Sequence, residues 1–77
     1  MVVCLQKVDP SRNQARFYVL EVSRTLFEEW TLTHRWGRIG SSGGQSLTVN
    51  YGSELEALAA LARGKQAKIR RNYAEFA

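Results

Sequence analysis

The most regular strand pattern of the chain lies at residues 29–36, which read Glu29-Trp30-Thr31-Leu32-Thr33-His34-Arg35-Trp36. Because successive side chains of a strand point to opposite faces, one face of this segment carries both tryptophans together with Leu32 and His34. Apolar and polar side chains alternate over the whole stretch, which is typical of a strand with one face against a core. We therefore predict a half-buried β-strand here.

Strand patterns also lie on both sides of this segment. Residues 2–8 form a short apolar run that ends at the turn signal Asp9-Pro10-Ser11, and residues 16–22 are rich in β-branched and aromatic side chains. After residue 36, glycines at positions 37, 40, 43 and 44 indicate a loop, and residues 45–51 return to alternation. The short connections between these segments predict an antiparallel meander of about four strands.

A helical pattern begins after residue 52. Ser53 is suited to cap a helix, and Glu56, three residues later, can reach back to it in a capping box. We predict a helix that continues to Arg71, with Asn72 in the left-handed conformation after its end and a bend at Gly64. At about 100° per residue, the apolar stripe of this helix consists of Leu55, Leu58, Leu61, Ala62 and Ile69.

Together these elements predict an α+β fold, in which one long amphipathic helix packs on one face of a small antiparallel β-sheet. A chain of 77 residues and 8.7 kDa can bury one modest core, so residues 1–77 are expected to form a single domain. No apolar run approaches the roughly 20 residues that span a bilayer. We therefore predict a cytoplasmic protein without a membrane partner.

Side chains for catalysis or metal binding are few. The chain has one histidine, His34, and one cysteine, Cys4, which is most simply a small buried side chain. The sequence shows no nucleophile beside a base, no carboxylate pair and no cluster of soft metal ligands at a recognisable spacing. We therefore predict a protein that is not an enzyme, with no catalytic residues, no metal site and no cofactor.

The positive charge of the chain is concentrated near its end. The formal net charge is +4, yet residues 1–62 carry six basic and six acidic side chains. Five basic side chains without an acidic one follow, at Arg63, Lys65, Lys68, Arg70 and Arg71. Such a segment indicates a surface that meets phosphates or another acidic partner. The alternative is a solvated helix end, where cations complement the helix dipole.

The tripeptide Trp36-Gly37-Arg38 and its surroundings resemble the WGR domain family, which is named for this motif. The matching features are Phe17-Tyr18-x-Leu20 on the preceding strand, Ile39-Gly40 with Gly43 or Gly44 after the motif, the capped helix that begins at Ser53, and Lys68 and Tyr73 near the end. The resemblance covers residues 2–73, and we expect residues 1–77 to be a single WGR-like domain.

This resemblance implies a binding module built from an antiparallel sheet and a helix. In poly(ADP-ribose) polymerases the module engages DNA at strand breaks, with the motif's tryptophan against a terminal sugar and its arginine near DNA and neighbouring domains. Similar free-standing domains occur in bacteria. The chain departs from the polymerase pattern at Gly64, Arg70 and Arg71, so polymerase-like docking between domains is not implied.

From the resemblance and the charge we predict a nucleic-acid-binding module, with DNA favoured, that recognises ends or nicks. The predicted nucleic-acid-binding residues are Trp36, Gly37, Arg38, Lys65, Lys68, Arg70 and Arg71. The glycine-rich loop after the motif is not a phosphate-binding Walker loop, because the lysine is missing and a strand follows.

Alternatives remain open at two side chains and for the function. Trp36 could instead pack against Trp30 as an ordinary sheet residue. Arg38 could instead brace its loop against carbonyl groups or against Glu28 or Glu29. The same motif surface could also serve as a protein-interaction or dimerisation module, because tryptophan and arginine are common anchors of protein interfaces.

Overall fold

The structure is a computed structural model that describes residues 1–41 and 43–76. It contains five strands and one helix: β1 Val2–Asp9, β2 Gln14–Arg24, β3 Trp30–Arg38, β4 Gln45–Tyr51, α1 Glu54–Ile69 and β5 Ala74–Glu75. The strands form one antiparallel sheet in the order β4-β3-β2-β1-β5. The predicted α+β fold is confirmed, and the sheet has a fifth strand that the sequence pattern did not predict.

The helix covers one face of the sheet, and the core lies between them. Leu5, Leu20 and Leu32 are fully buried there, on three neighbouring strands. The register places Leu20 opposite Val3 on one side and opposite His34 on the other. Because cross-strand partners share a face, Leu20 lies near the middle of the core.

The buried face of α1 matches the predicted stripe only in part, at Leu61 and the half-buried Leu58. Ala57, Ala60 and Leu61 are buried, whereas Leu55 is 78% exposed and Ile69 is 39% exposed. The side chains of α1 that face the sheet are mostly small, and this lets the helix backbone approach the strands closely. The buried face continues through Gly64 to the half-buried Lys68 at i, i+4 spacing, and this places Lys68 over Tyr18 of the central strand β2.

Gly64 lies within this continuous helix and against the core. A methyl group at this position would meet the two terminal carbons of Leu20 at 3.4 and 3.5 Å, which are ordinary contact distances. We expect Gly64→Ala to raise the free energy of unfolding by about 0.5–1 kcal/mol, because alanine removes the helix cost of glycine. Thermal unfolding checks this value. Gly64→Val serves as the control and should destabilise, because its larger side chain presses on Leu20; a destabilised alanine variant contradicts the prediction.

The end of α1 turns the chain back towards the sheet. Arg70 caps the helix, and Asn72 adopts the left-handed conformation with φ 71°. The Tyr73 amide donates to the Lys68 carbonyl at 3.1 Å, which closes the turn typical of a left-handed helix cap. The helix thus ends slightly before the predicted Arg71. This turn places Tyr73 beside Lys68 and directs β5 along β1.

Among residues 1–41 and 43–76, no helix has both the length and the apolar character needed to cross a membrane.

Candidate nucleic-acid interface

The Trp36 ring lies at the surface, stacked on Tyr18. The two residues are direct partners in the register of β2 and β3. Their ring centroids are 5.8 Å apart and their planes differ by 13°. Trp36 is half-buried, and Trp30, at the other end of β3, packs against the core instead. The alternative in which Trp36 packs against Trp30 is therefore wrong.

Two arginines lie opposite each other beside this stack. Arg16 on β2 pairs in register with Arg38 on β3, so both side chains share the face that carries Tyr18 and Trp36. Both are exposed, and neither forms an ion pair with another residue of the described ranges. Like charges at directly opposite positions destabilise a sheet unless an anion neutralises them.

The alternative role for Arg38, bracing against a glutamate, is also wrong. Glu28 pairs with Arg24 at 3.0 Å, and the Glu29 carboxylate accepts a hydrogen bond from Asn50 at 2.9 Å. Both glutamates lie at the opposite end of the β2–β3 hairpin from Arg38. Glu28 and Glu29 are close to β3 in sequence, but they lie far from Arg38 because the extended strand separates its two ends.

Lys68 lies over the aromatic rings. Its Nζ atom is 4.2 Å from the centroid of the Tyr18 ring and 5.4 Å from that of Tyr73, within range for cation–π attraction. Partial burial lowers the pKa of Lys68, and the charge of Arg71 lowers it further. Arg71 is therefore close enough to act on this group, although its side chain is exposed.

A hydrogen bond to His34 fixes the Tyr18 ring. The Tyr18 hydroxyl lies 2.8 Å from Nδ1 of His34. Burial lowers the pKa of His34, and the charge of Lys68 contributes in the same direction. Burial, followed by the neighbouring Tyr73, raises the pKa of Tyr18. Both pKa shifts favour a neutral Tyr18–His34 pair, so the positive charge of the region stays on the basic side chains.

The pKa of His34 provides a test of this arrangement. We expect its imidazole to titrate below 6.5 in the folded protein. Lys68→Gln should raise this midpoint, because it removes one of the two causes of the lowered pKa of His34. Since the unfolded chain binds the proton at about 6.5, the stability from neutral His34 is kept above that pH and is lost as the pH falls below it. Imidazole chemical shifts in an NMR titration measure the midpoint. Lys65→Gln is the control, and a wild-type midpoint at or above 6.5 contradicts the structure.

The groove beside the Tyr18–Trp36 stack has a volume of about 590 Å³. Its lining consists of Asn13, Gln14, Ala15, Arg16, Phe17, Tyr18, Trp36, Gly37, Arg38, Lys68 and Tyr73. Ligand pockets typically measure about 300–1,000 Å³ and combine aromatic walls with a few polar groups. This groove has that composition, with three cations around its aromatic floor.

Comparison with known proteins identifies the family. The family model of the WGR domain matches residues 1–77, the whole chain. The chain belongs to the WGR domain family. This WGR domain is also similar to "Uncharacterized protein y4dW" of Sinorhizobium fredii (strain NBRC 101917 / NGR234), with 39% identity over 54 residues, or 70% of the chain. It spans about a quarter of that curated relative's length, 26%. The WGR domain is a binding module known from nucleic-acid-binding proteins, not a catalytic domain.

Steric reasons explain two glycines, Gly37 of the WGR motif and Gly44 of the loop. A methyl group at Gly37 would lie 3.1 Å from the Phe17 ring, which packs on the other face of the sheet. A methyl group at Gly44 would lie 2.9 Å from the Trp36 carbonyl oxygen. These positions allow the loop to fold closely under the motif. Gly37 is therefore explained by its small size, while the register of β2 and β3 places Arg38 beside the groove.

The seven predicted site residues are only partly gathered at the groove. Trp36, Gly37, Arg38 and Lys68 line it. Lys65 lies half-buried and pairs with Glu75 at 2.9 Å, so β5 already supplies it with a counter-charge. Arg70 and Arg71 are exposed at the end of α1, next to Lys68 in sequence.

Seven of the eleven groove residues are not among the predicted site residues, and three of these seven, Arg16, Tyr18 and Tyr73, supply charge or a tyrosine ring. Arg16 was counted within the charge-balanced part of the chain, and Tyr18 and Tyr73 were used only as family markers. The hairpin register carries the signal that could have found Arg16. Counting outward from the turn between β2 and β3 places Arg16 opposite Arg38.

Among the residues that the structure describes, no three histidine, cysteine or acidic side chains are grouped so that they could hold a metal ion.

Proposed function

We propose that this WGR domain binds DNA ends or nicks through the groove between β2, β3 and the end of α1. One observation carries the proposal: two arginines without an ion-pair partner among the described residues lie opposite each other beside the Tyr18–Trp36 stack. An end or nick offers both a phosphate backbone and a terminal sugar. The groove offers cations for the former and an aromatic surface for the latter.

Each groove residue has a separate task in this proposal. The exposed part of Trp36 receives the terminal sugar or base, for which aromatic stacking typically contributes about 1–3 kcal/mol. Arg16 and Arg38 hold a phosphate through paired hydrogen bonds, as guanidinium groups commonly do. Lys68 adds a positive charge, and its partial removal from water strengthens its attraction to a phosphate. Such binding reads the backbone and the end, not the base sequence.

The basic end of α1 adds a second, less specific contribution. Arg70 and Arg71 are exposed and form no ion pair with another described residue, so they are available to a backbone phosphate further along the DNA. Lys65 contributes less, because its pairing with Glu75 must first be broken. The phosphate contacts from this segment make the affinity dependent on salt.

The test compares nicked, blunt-ended and hairpin-closed duplexes of one sequence by fluorescence anisotropy. We expect tighter binding to the open substrates than to the closed one, and an affinity that falls with salt at a log–log slope of about −0.9 for each neutralised phosphate. Trp36→Ala should abolish the preference for open substrates and weaken their binding about 10-fold or more, because the stacking surface is removed.

Phe27→Ala is the matched control, since this aromatic ring is exposed at the other end of the molecule. At nanomolar protein it should leave the preference unchanged. Equal binding to all three duplexes, unaltered by Trp36→Ala, contradicts end recognition. Failure to bind any duplex at low salt contradicts nucleic-acid binding and favours the protein-interaction alternative.

A further inference from the structure

Two large apolar side chains project from the turn between β2 and β3. Leu26 is 99% exposed and Phe27 is 84% exposed. We call residues 25–29 the hairpin tip. Single exposed apolar residues are common on monomers, but two adjacent ones at almost full exposure at the end of a hairpin indicate a contact surface.

The backbone of the hairpin tip is well fixed. The Thr25 amide donates to the Glu29 carbonyl at 2.9 Å, and the Thr25 hydroxyl accepts bonds from the amides of Phe27 and Glu29, each at 3.2 Å. Glu28 takes up the left-handed conformation that the tight turn requires, with φ 65°. The apolar pair is therefore presented on a closed turn and does not fold back onto the domain.

Carboxylates outnumber basic side chains around the hairpin tip, although Glu28 pairs with Arg24 of its own chain at 3.0 Å. Glu28 and Glu29 are exposed within it, and α1 begins with Glu54 and Glu56 at the same end, because β4 ends opposite the start of β3. An anionic membrane surface would repel these carboxylates. The chemistry instead suits an apolar, preferably aromatic, pocket with a cationic rim.

The domain's own groove has that chemistry, but it lies at the other end of the molecule. The hairpin register extends from Arg24 opposite Trp30 to Arg16 opposite Arg38. At roughly 3.3 Å per residue, the eight intervening steps separate the hairpin tip from the groove by about 26 Å. The tip therefore cannot enter the groove of its own chain.

We propose that the hairpin tip of one molecule docks into the groove of a second copy. Phe27 lies against the Trp36 ring of the second copy. The carboxylates of Glu28 and Glu29 exchange their contacts with Arg24 and Asn50 for Arg16 and Arg38 of the second copy. Such a contact joins two different surfaces of the molecule, so it is head-to-tail and can continue from copy to copy into short linear oligomers. The docking uses the groove of the proposed function, and DNA and a second copy then compete for it.

The first experiment measures the apparent mass of the wild-type protein by sedimentation velocity up to millimolar concentration. We expect the mass to rise with concentration, because a small contact gives weak association. Leu26→Ser with Phe27→Ser should lower the association constant about 10-fold or more, as expected for buried anchor residues. Both positions are exposed, so the variant should fold. A short duplex with open ends should dissociate the wild-type chains.

The second experiment mixes two variants that each retain one half of the contact. The tip variant, Leu26→Ser with Phe27→Ser, keeps its groove, and the groove variant, Arg16→Glu with Arg38→Glu, keeps its tip. Each alone should remain a monomer. Their mixture should form a 1:1 complex that does not extend, because only one compatible contact remains.

A wild-type protein that stays monomeric to millimolar concentration overturns the proposal. It is likewise overturned if the tip variant associates like the wild type, or if the mixture shows no complex. Failure of the proposed function is separately visible: the tip variant at nanomolar concentration tests DNA binding in the absence of any association, so loss of one property does not imply loss of the other.

Discussion

Replacing Arg16 and Arg38 together by glutamate is expected to lower the affinity for open-ended DNA by about 100-fold or more at low salt. The two guanidinium groups are exposed, directly opposed and unpaired within the described residues, so the fold does not need their charge. Each contributes a charge-assisted contact to phosphate in the proposed complex, and glutamate replaces it with repulsion. Because about two phosphate contacts are lost, the salt dependence should become shallower by about two units of log–log slope.

The control for this variant is Arg24→Glu with Arg63→Glu. It makes the same change in net charge, but neither residue lines the groove. Affinity should therefore fall much less, since only the long-range attraction is reduced. Anisotropy titrations at several salt concentrations measure both quantities. If the two double variants lose affinity equally, Arg16 and Arg38 have no special role and only the overall charge matters.

Leu20→Ala is expected to lower the free energy of unfolding by about 3–5 kcal/mol. Leu20 is fully buried on β2, faces Gly64 of the helix and is flanked in register by Val3 and His34. Removing its side chain leaves a cavity between sheet and helix, and such losses in buried cores fall in this range. A small domain has about 5–15 kcal/mol in total, so the melting temperature should drop by more than about 10 °C.

Leu55→Ala is the matched control, because it makes the same chemical change on the exposed side of α1. Its free energy of unfolding should stay within about 0.5 kcal/mol of the wild type. Chemical denaturation with an unchanged m-value measures both variants. A large loss at Leu55 with a small loss at Leu20 would contradict the helix orientation described above.

The strands could be predicted closely from the sequence because their signals are local. β4 has the predicted bounds, and β1 differs by one residue. The predicted ends of β2 are too short because polar residues such as Arg24 extend the ladder opposite Trp30. β5 has only two residues, Ala74 and Glu75, and no strand pattern. It exists because the turn after α1 brings this segment beside β1, which is a tertiary effect.

The helix was predicted, and the face that it buries was predicted in part, at Leu58 and Leu61. Periodicity gives several overlapping faces in a sequence rich in alanine, and Leu55 and Ile69 lie on the exposed side of the face that is buried. The choice between faces depends on the distance between helix and sheet. Small residues at Ala57, Ala60 and Gly64 permit a close approach, and that distance is not written in the hydrophobic pattern of the helix alone.

The candidate site was predictable in its motif but not in its full composition. Trp36, Arg38 and Lys68 followed from the family resemblance. Arg16 did not, because charge was summed along the chain, whereas the hairpin pairs residues 22 positions apart. The role of Lys65 was also hidden, since Glu75 reaches it only through β5.

The parallel stack of Tyr18 under Trp36 limits what the indole can do to a nucleic acid. One side of the ring is already occupied by the phenol, so it has no second free side to offer. A side chain in that state can act as an end plate for a column of bases, but it cannot be wedged between two neighbouring base pairs as intercalating side chains are. The duplex should accordingly keep its length and helical winding when the domain binds.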